Sequence, residues 1–261
     1  METDILPANL HSAFMRRLFR NRARVTTQAS KGRIYAIGDV HGRYDLLRNL
    51  MDRIIGHWEA SEKDFSKVSL VFLGDVIDRG PDVADCLKLL LNLVRQPGVV
   101  LLRGNHEDLL LKSCEGHPVA QRLWLEHGGR STLASYGIAP LMQGEDSFDF
   151  GQRIADGIPL EILDMIRASP ISFASEGYFF VHAGVRPGVP FKSQEEQDLL
   201  FIRDEFTSSS AWHGAVVVHG HSIVDEVEFY PNRIAIDTGA YRTGRLSCLC
   251  VQGELREVLT T

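Results

Sequence analysis

A carboxylate and an imidazole two residues apart, Asp39 and His41, leave one apolar strand together between Gly38 and Gly42. Oxygen and imidazole donors at that spacing, with no thiolate nearby, suit a hard or borderline divalent metal. The flanking glycines open backbone conformations closed to other residues and leave room for a close approach. Taken alone, the turn has a plainer reading in which Asp39 caps the following helix. The pattern then returns twice. Val68 to Arg79 holds a second apolar strand, ending in Gly74 and Asp75, with Asp78, Arg79 and Gly80 following. Val99 to Leu102 is a third, ending in Arg103 and Gly104 before Asn105, His106 and Glu107. Three strands that each deliver metal-type ligands just past a glycine predict a shared site, because open α/β sheets bind ligands outside the carboxyl ends of their strands.

The elements that must hold these turns are legible in the apolar spacing. Leu46, Leu47, Leu50, Met51, Ile54 and Ile55 keep helical period after the first turn and predict a helix packed on a sheet. Val83, Leu87, Leu90 and Val94 do the same after Pro81, a residue suited to a helix start. Trp58 to Lys67 reads as a polar connector. Residues 112–170 are poorer in strands: Val119 to His127 predicts a helix broken by Gly128 and Gly129 and resumed from Ser131 to Tyr136, and Pro159 to Ala168 predicts another. Strands return from Gly177 through Val185, and at Ala215 to His219, Glu226 to Tyr230, Arg233 to Ile236 and Leu246 to Val251. Between the first two of these, Gln194 to Phe206 reads as one acidic helix carrying Arg203.

GDVHG at 38–42, GDVIDRG at 74–80 and GNHE at 104–107, in that order, resemble the three signatures of the metallophosphoesterase superfamily. The DRG and GNHE forms are similar to its serine/threonine phosphoprotein phosphatase branch. Val181 to Gly184 and Gly220 to Ser222 each place a histidine where that family has its last metal ligands, so the resemblance runs from about Arg33 to Ala240. The eukaryotic SAPNYC-type loop is missing, and Ile236 to Ala240 looks like the bacterial and phage type of ending. The resemblance implies an α/β sandwich of two mixed sheets flanked by helices, with residues 112–170 as a helical insertion within a catalytic domain spanning 32–261.

It also implies a site. Asp39, His41 and Asp75 would hold a first metal, and Asp75, Asn105, His182 and His221 a second, with Asp75 bridging. Sharing a carboxylate offsets the repulsion of two dications roughly 3.5–4 Å apart. The donor set admits Mn, Fe, Zn, Co or Ni, with Mn the leading expectation. A metal-bridging hydroxide would attack phosphorus in line, Arg79 and Arg203 would clamp the phosphoryl oxygens together with Asn105, and His106 would protonate the leaving alkoxide while Asp78 orients its ring. Arg203 has a plainer alternative as an ion-pair partner in an acidic helix. Glu107 is expected to buttress, and His219 to stand behind the ligands at most. Trp124, Tyr136 and His127 are expected in the small core of the insertion, or else along its rim. His11, His57, His117 and His213 are expected at the surface.

The expected reaction is hydrolysis of phosphate monoesters, phosphoserine and phosphothreonine in proteins foremost. A dinucleoside polyphosphate hydrolase on the same scaffold is the alternative, disfavoured because those relatives usually lack an acid at the Asp78 position and read GNHD. A non-catalytic phosphopeptide-binding domain would be expected to break a metal ligand, and here all six stand.

Composition bounds the rest. The chain has 261 residues, 44% of them apolar, enough to bury a core. Its net charge of −6 argues against general nucleic-acid binding and leaves phosphate to be held by local arginine and metal. Four cysteines show no zinc or redox spacing, and Cys248 and Cys250 alternate onto one buried face, a pattern that suits the cytoplasm. No apolar run reaches the roughly 18 residues of a membrane span. Residues 1–31 read as a separate basic arm. Its segment Phe14 to Arg24 carries five arginines, and it would lie solvated on the domain surface or touch a partner or an anionic membrane.

Overall fold

The computed structural model describes residues 32–61, 68–175 and 177–261, so the basic arm expected over 1–31 lies outside the described residues. Two five-stranded sheets face each other. The first has the order β10-β9-β1-β2-β3, built from Leu255–Thr260, Ser247–Gln252, Arg33–Ile37, Val68–Phe72 and Val99–Leu101. The second has the order β4-β5-β6-β8-β7, built from Ser172–Ser175, Tyr178–Val181, Val216–His219, Arg233–Ala235 and Glu228–Phe229. Both are mixed. In the first, β1, β2 and β3 run parallel, β9 runs antiparallel to β1, and β10 runs antiparallel to β9. In the second, β5, β6 and β8 run parallel.

Period-two alternation assigns each strand residue to a layer. Ile34 and Ala36 join Val71, Leu73, Phe180, Val218, Ile234 and Leu249 in the core between the sheets. Tyr35 and Ile37 point the other way, into the layer of helices on the first sheet. Cys248 and Cys250 lie buried in that same outer layer, as their alternation predicts. Helix α1, Tyr44–Ala60, buries Leu47, Leu50, Met51 and Ile54 there, each contributing about 1.5–3 kcal/mol of transfer free energy. Helix α2, Val83–Leu93, buries Val83, Leu87 and Leu90 beside it. Trp58 belongs to α1 and is buried, so the connector begins later than its polarity suggested.

Helices follow β3 in series: α3 Asn105–Cys114, α4 Pro118–Trp124, a turn at Leu125–Gly129 broken at Gly128 (φ 120°), α5 Arg130–Ser135, α6 Ser147–Gly157 and α7 Leu160–Ala168, with residues 137–146 outside them. Helix α6 escapes a propensity reading because Gly151 sits inside it. That glycine is a packing requirement: a Cβ there would stand 2.8 Å from the carbonyl oxygens of Ser113 and Cys114. The acidic helix expected over 194–206 is two short ones, α8 Glu196–Phe201 and α9 Asp204–Thr207. The break falls on Ile202, which is extended, and Arg203, whose φ and ψ of −129° and −108° leave the helical region.

His117 is exposed as expected, and His11 lies outside the described residues. His57 and His213 are not free surface residues. His57 bridges the Tyr35 hydroxyl and the Glu257 carboxylate, each at 2.9 Å, and His213 is half-buried against Phe206. No helix among the described residues is long and apolar enough to cross a membrane.

Candidate metal centre

The carboxyl ends of β1, β2, β3, β5, β6 and β8 all deliver polar side chains into the buried interior of the molecule: Asp39 and His41, Asp75, Asn105 and His106, His182, His221, and Asp237. All are at most 9% exposed. The backbone there is forced into uncommon conformations. Among the described residues, the non-glycine positions with positive φ are His41, Asp75, Asp78, Arg79 and His221. Each such placement costs on the order of 1–3 kcal/mol, which the surrounding fold must offset. Glu107 does much of the holding. Its carboxylate accepts the backbone N–H groups of Gly104, Asp75, Val76 and Ile77 at 2.8–3.3 Å, threading the β2 and β3 turns together. Asn105, His106 and Glu107 lie in the first turn of α3, so helical rotation sends the three side chains in different directions.

Asp75 is the centre. One oxygen, Oδ1, lies 3.4 Å from His182 Nε2, and the other, Oδ2, lies 3.6 Å from His41 Nε2 and 3.7 Å from His106 Nε2. Two clusters of potential donors therefore share it: His41, Asp75 and His106, and Asp75, His182 and His221. His182 Nδ1 sits 2.9 Å from the Leu73 carbonyl oxygen and donates to it. In the neutral ring its Nε2 is then a bare lone pair, 2.8 Å from Asn105 Oδ1 and 3.2 Å from His221 Nδ1. His41 is tied the same way, its Nδ1 donating to the Ile77 carbonyl at 2.8 Å. The His182 Nε2 lone pair and Asn105 Oδ1 are two acceptors facing each other in a dry interior, where they repel unless a cation stands between them, and backbone carbonyls fix metal-ligating imidazoles in this tautomer. The donor set therefore fits divalent cations.

Asp39 is placed beside the second group and outside both clusters. Its carboxylate accepts the His221 N–H at 3.1 Å. Gly220 permits that approach, since a Cβ there would come within 2.1 Å of Asp39 Oδ1. Burial, then the neighbouring charges of Asp237 and Asp75, push the Asp39 carboxyl well above the usual range. Burial likewise pushes Asp237 up to about 6. For Asp75 the burial effect is overcome by the fields of His182, His106, His41 and His221, and its carboxyl is held low. Burial drives His41, His182 and His221 towards the neutral ring that a ligand needs, His221 to about 2. Asp237 was not singled out from the sequence. The signal was there, because IAID repeats the arrangement of an apolar strand followed by a carboxylate.

His106 is set apart by its second nitrogen. Its Nδ1 lies 2.6 Å from Asp78 Oδ2, in a side chain that is fully buried. Burial alone would lower the His106 pKa, but the charge of Asp75 and the bond to Asp78 outweigh it and raise the pKa above the ordinary value. Asp78 is held in turn from the insertion: Trp124 Nε1 donates to both of its oxygens at 3.0 and 3.1 Å, and the Thr132 hydroxyl donates to Oδ1. Trp124 is fully buried, Tyr136 packs partly buried on the core, and His127 is exposed on the rim. Trp124→Phe, which keeps the ring and removes the N–H, is expected to destabilise the fold by about 1.5–3 kcal/mol in urea unfolding. An unchanged urea midpoint would show that the Trp124 N–H adds nothing beyond filling space.

Arg79 reaches the same pocket, with Nη2 3.1 Å from His106 Nε2 and Nε donating to the His127 carbonyl at 3.3 Å. Its guanidinium stands 4.6 Å from the centroid of the Tyr241 ring, which also meets His41 edge-on at 5.3 Å. Tyr241, too, carries no signal along the chain that would have selected it. Arg203 is exposed and has no ion pair among the described residues. The acids around it are taken instead by Arg186, which grips Asp198 with two bonds of 2.6 Å and Glu205 at 2.8 Å. Arg203 lies close enough to add to the depression of His182 and His221. His219 is buried but turned away from both clusters, its Nδ1 3.1 Å from the Gly220 carbonyl oxygen.

Two facing mixed sheets send polar side chains from their strand ends into one buried cluster whose donors could hold metal ions. The chain belongs to the calcineurin-like phosphoesterase family, which it matches over residues 32–243. Serine/threonine-protein phosphatase 2 of Escherichia coli (strain K12) is 30% identical over 224 residues, covering 82% of this chain and 90% of its own length. Bis(5'-nucleosyl)-tetraphosphatase PrpE of Anoxybacillus flavithermus (strain DSM 21510 / WK1) is 25% identical, with 82% and 88% covered. In structure, a cold-active protein tyrosine phosphatase superposes with a TM-score of 0.57 at 18% identity, over 89% of this chain and 81% of that one. That likeness concerns the fold alone.

Proposed function

We propose that this chain is a dimetal phosphatase that hydrolyses phosphate monoesters, phosphoserine and phosphothreonine in proteins foremost. The observation that carries the proposal is the buried His106–Asp78 pair, bonded at 2.6 Å beside the converging donors of Asp75. A serine alkoxide is a poor leaving group and needs a proton as it departs, and an imidazole held by a carboxylate can deliver one. Asp75, His41, Asn105, His182 and His221, with Asp39 behind them, would hold two divalent cations, Mn foremost and Fe, Zn, Co or Ni also compatible with the donors. When bound, such ions supply Lewis acidity and lower the pKa of water. The residues do the rest. Arg79 and Arg203 present planar forks to the phosphoryl oxygens. His106 Nε2 faces the departing oxygen, and Asp78 keeps the proton of Nδ1 and the ring angle fixed.

The alternative substrate, a dinucleoside polyphosphate, is raised by relatives such as PrpE that carry that activity in their names. Its leaving group is a nucleotide phosphate, a good one, for which a proton donor as well supported as His106 has little use. A panel of phosphoserine peptide, phosphotyrosine peptide and dinucleoside tetraphosphate, each with several added metals, tests the reading. The expected result is the highest kcat/KM on the phosphoserine peptide. A dinucleoside tetraphosphate preferred by more than about tenfold would overturn it, since that margin is about 1.4 kcal/mol of transition-state stabilisation.

A further inference from the structure

A cavity of about 430 Å³ opens beside the metal centre, lined by Arg203, Asp204 and Thr207 from the α8–α9 break and α9, by His219 and Ser222 around the end of β6, and by Glu228, Tyr230 and Arg233 from β7 and β8. Arg233 is its most unusual wall. The residue is 8% exposed, its Nε has no hydrogen-bond partner, and its guanidinium makes no ion pair among the described residues. Its neighbour is the Tyr230 ring, with the guanidinium carbon 3.7 Å from the centroid. His219, fully buried, likewise leaves Nε2 without a partner. Arg203, unpaired as well, completes the wall nearest the metal ligands. A buried guanidinium with only an aromatic face for company is costly to keep unless something anionic arrives to pair with it.

We infer that this cavity is a second oxyanion subsite, which receives an acidic group carried on the same substrate as the scissile phosphate. Arg233 and Arg203 pair with it, the latter shared between the two subsites. The inference rests on the reading of the metal centre as the site of phosphoester hydrolysis. It narrows the substrate class to phosphoesters with a neighbouring carboxylate or second phosphate. Asp204 and Glu228 also stand on the cavity wall and oppose an anion, but both are exposed, and the Glu228 carboxylate is engaged by the Tyr230 hydroxyl at 2.7 Å. Charges in contact with water are screened, whereas the field of buried Arg233 is not. The two acids therefore weaken anion binding without cancelling it.

The experiment compares three substrates on each of four proteins: a phosphoserine peptide flanked by aspartates, the same peptide flanked by alanines, and p-nitrophenyl phosphate. The wild-type protein should prefer the acidic peptide. Arg233→Gln should lower kcat/KM on the acidic peptide by about tenfold, the loss expected from one charge-assisted hydrogen bond, and leave the other two substrates unchanged. Thr207→Glu, which brings a negative charge to the same wall without altering a buried side chain, should show the same selective loss, and Glu228→Gln the opposite. A peptide doubly phosphorylated at neighbouring serines tells a phosphate occupant from a carboxylate one, since either satisfies the inference but the preferred group gives the larger Arg233→Gln effect. Equal effects on all three substrates, or no preference in the wild-type protein, overturn the subsite. Failure of every ester to turn over would contradict the hydrolase reading instead. The cavity is then decided by calorimetry of inorganic phosphate on the chelator-treated protein, where binding lost in Arg233→Gln supports it and binding unchanged overturns it.

Discussion

Replacing His106 with Ala is expected to slow hydrolysis of a phosphoserine peptide by on the order of 10²–10⁴, the usual contribution of general acid assistance, and to slow an activated aryl phosphate far less. The asymmetry follows from the leaving groups. A serine alkoxide must receive a proton in the transition state, whereas p-nitrophenolate is stable near neutral pH. The structure adds a reason to expect the full effect, since the imidazole is fixed by Asp78 at 2.6 Å and Asp78 is itself fixed by Trp124 and Thr132. Asp78→Asn should show the same asymmetry in milder form. His106 also lies within one of the two donor clusters, so metal content must be measured on each variant. Equal losses on the two esters, with metal retained, would mean that His106 positions phosphate or binds metal and donates no proton.

The second large effect belongs to Asp75. Each of its oxygens faces a different group of imidazoles, Oδ1 towards His182 and Oδ2 towards His41. Asp75→Asn replaces one of those oxygens with a donor and removes the charge that both groups rely on. Both metal equivalents should fall in elemental analysis, and turnover should drop below detection. Asp39→Asn is expected to act on one site, because Asp39 meets the second sphere through the His221 N–H and not through Asp75. An Asp75→Asn protein that keeps two metals and a near-normal rate would remove Asp75 from its central place.

Much of this arrangement was legible in the sequence because it rests on local signals. An apolar strand, a glycine and a ligand residue lie within a few positions of each other, and the pattern occurs three times before residue 108. Alternation placed Cys248 and Cys250 on one buried face, the two mixed sheets came from the family resemblance, and Glu107 proved to be the buttress its position suggested. What escaped the sequence depends on tertiary approach. Gly151 reads as a helix breaker until Cys114 and Ser113 are seen to need its missing side chain. The strand Leu255–Thr260 is charged and half-exposed, and β9 alone shows why it forms. Arg203 was expected inside a helix, and the break that frees it arises from Ile202 and Arg203 leaving helical geometry. Trp124 was expected as core, and it is, but no periodicity could reveal that its N–H reaches Asp78 across 46 residues.

The central claim, that this buried centre works with two cations sharing Asp75, is tested most directly by metal titration of chelator-treated protein. Phosphoserine peptide hydrolysis would be followed at each added equivalent. The account predicts negligible turnover without metal, a rise that saturates at two equivalents per chain, and no comparable rise in Asp75→Asn. Saturation at one equivalent, or full turnover in the presence of excess chelator, would contradict it.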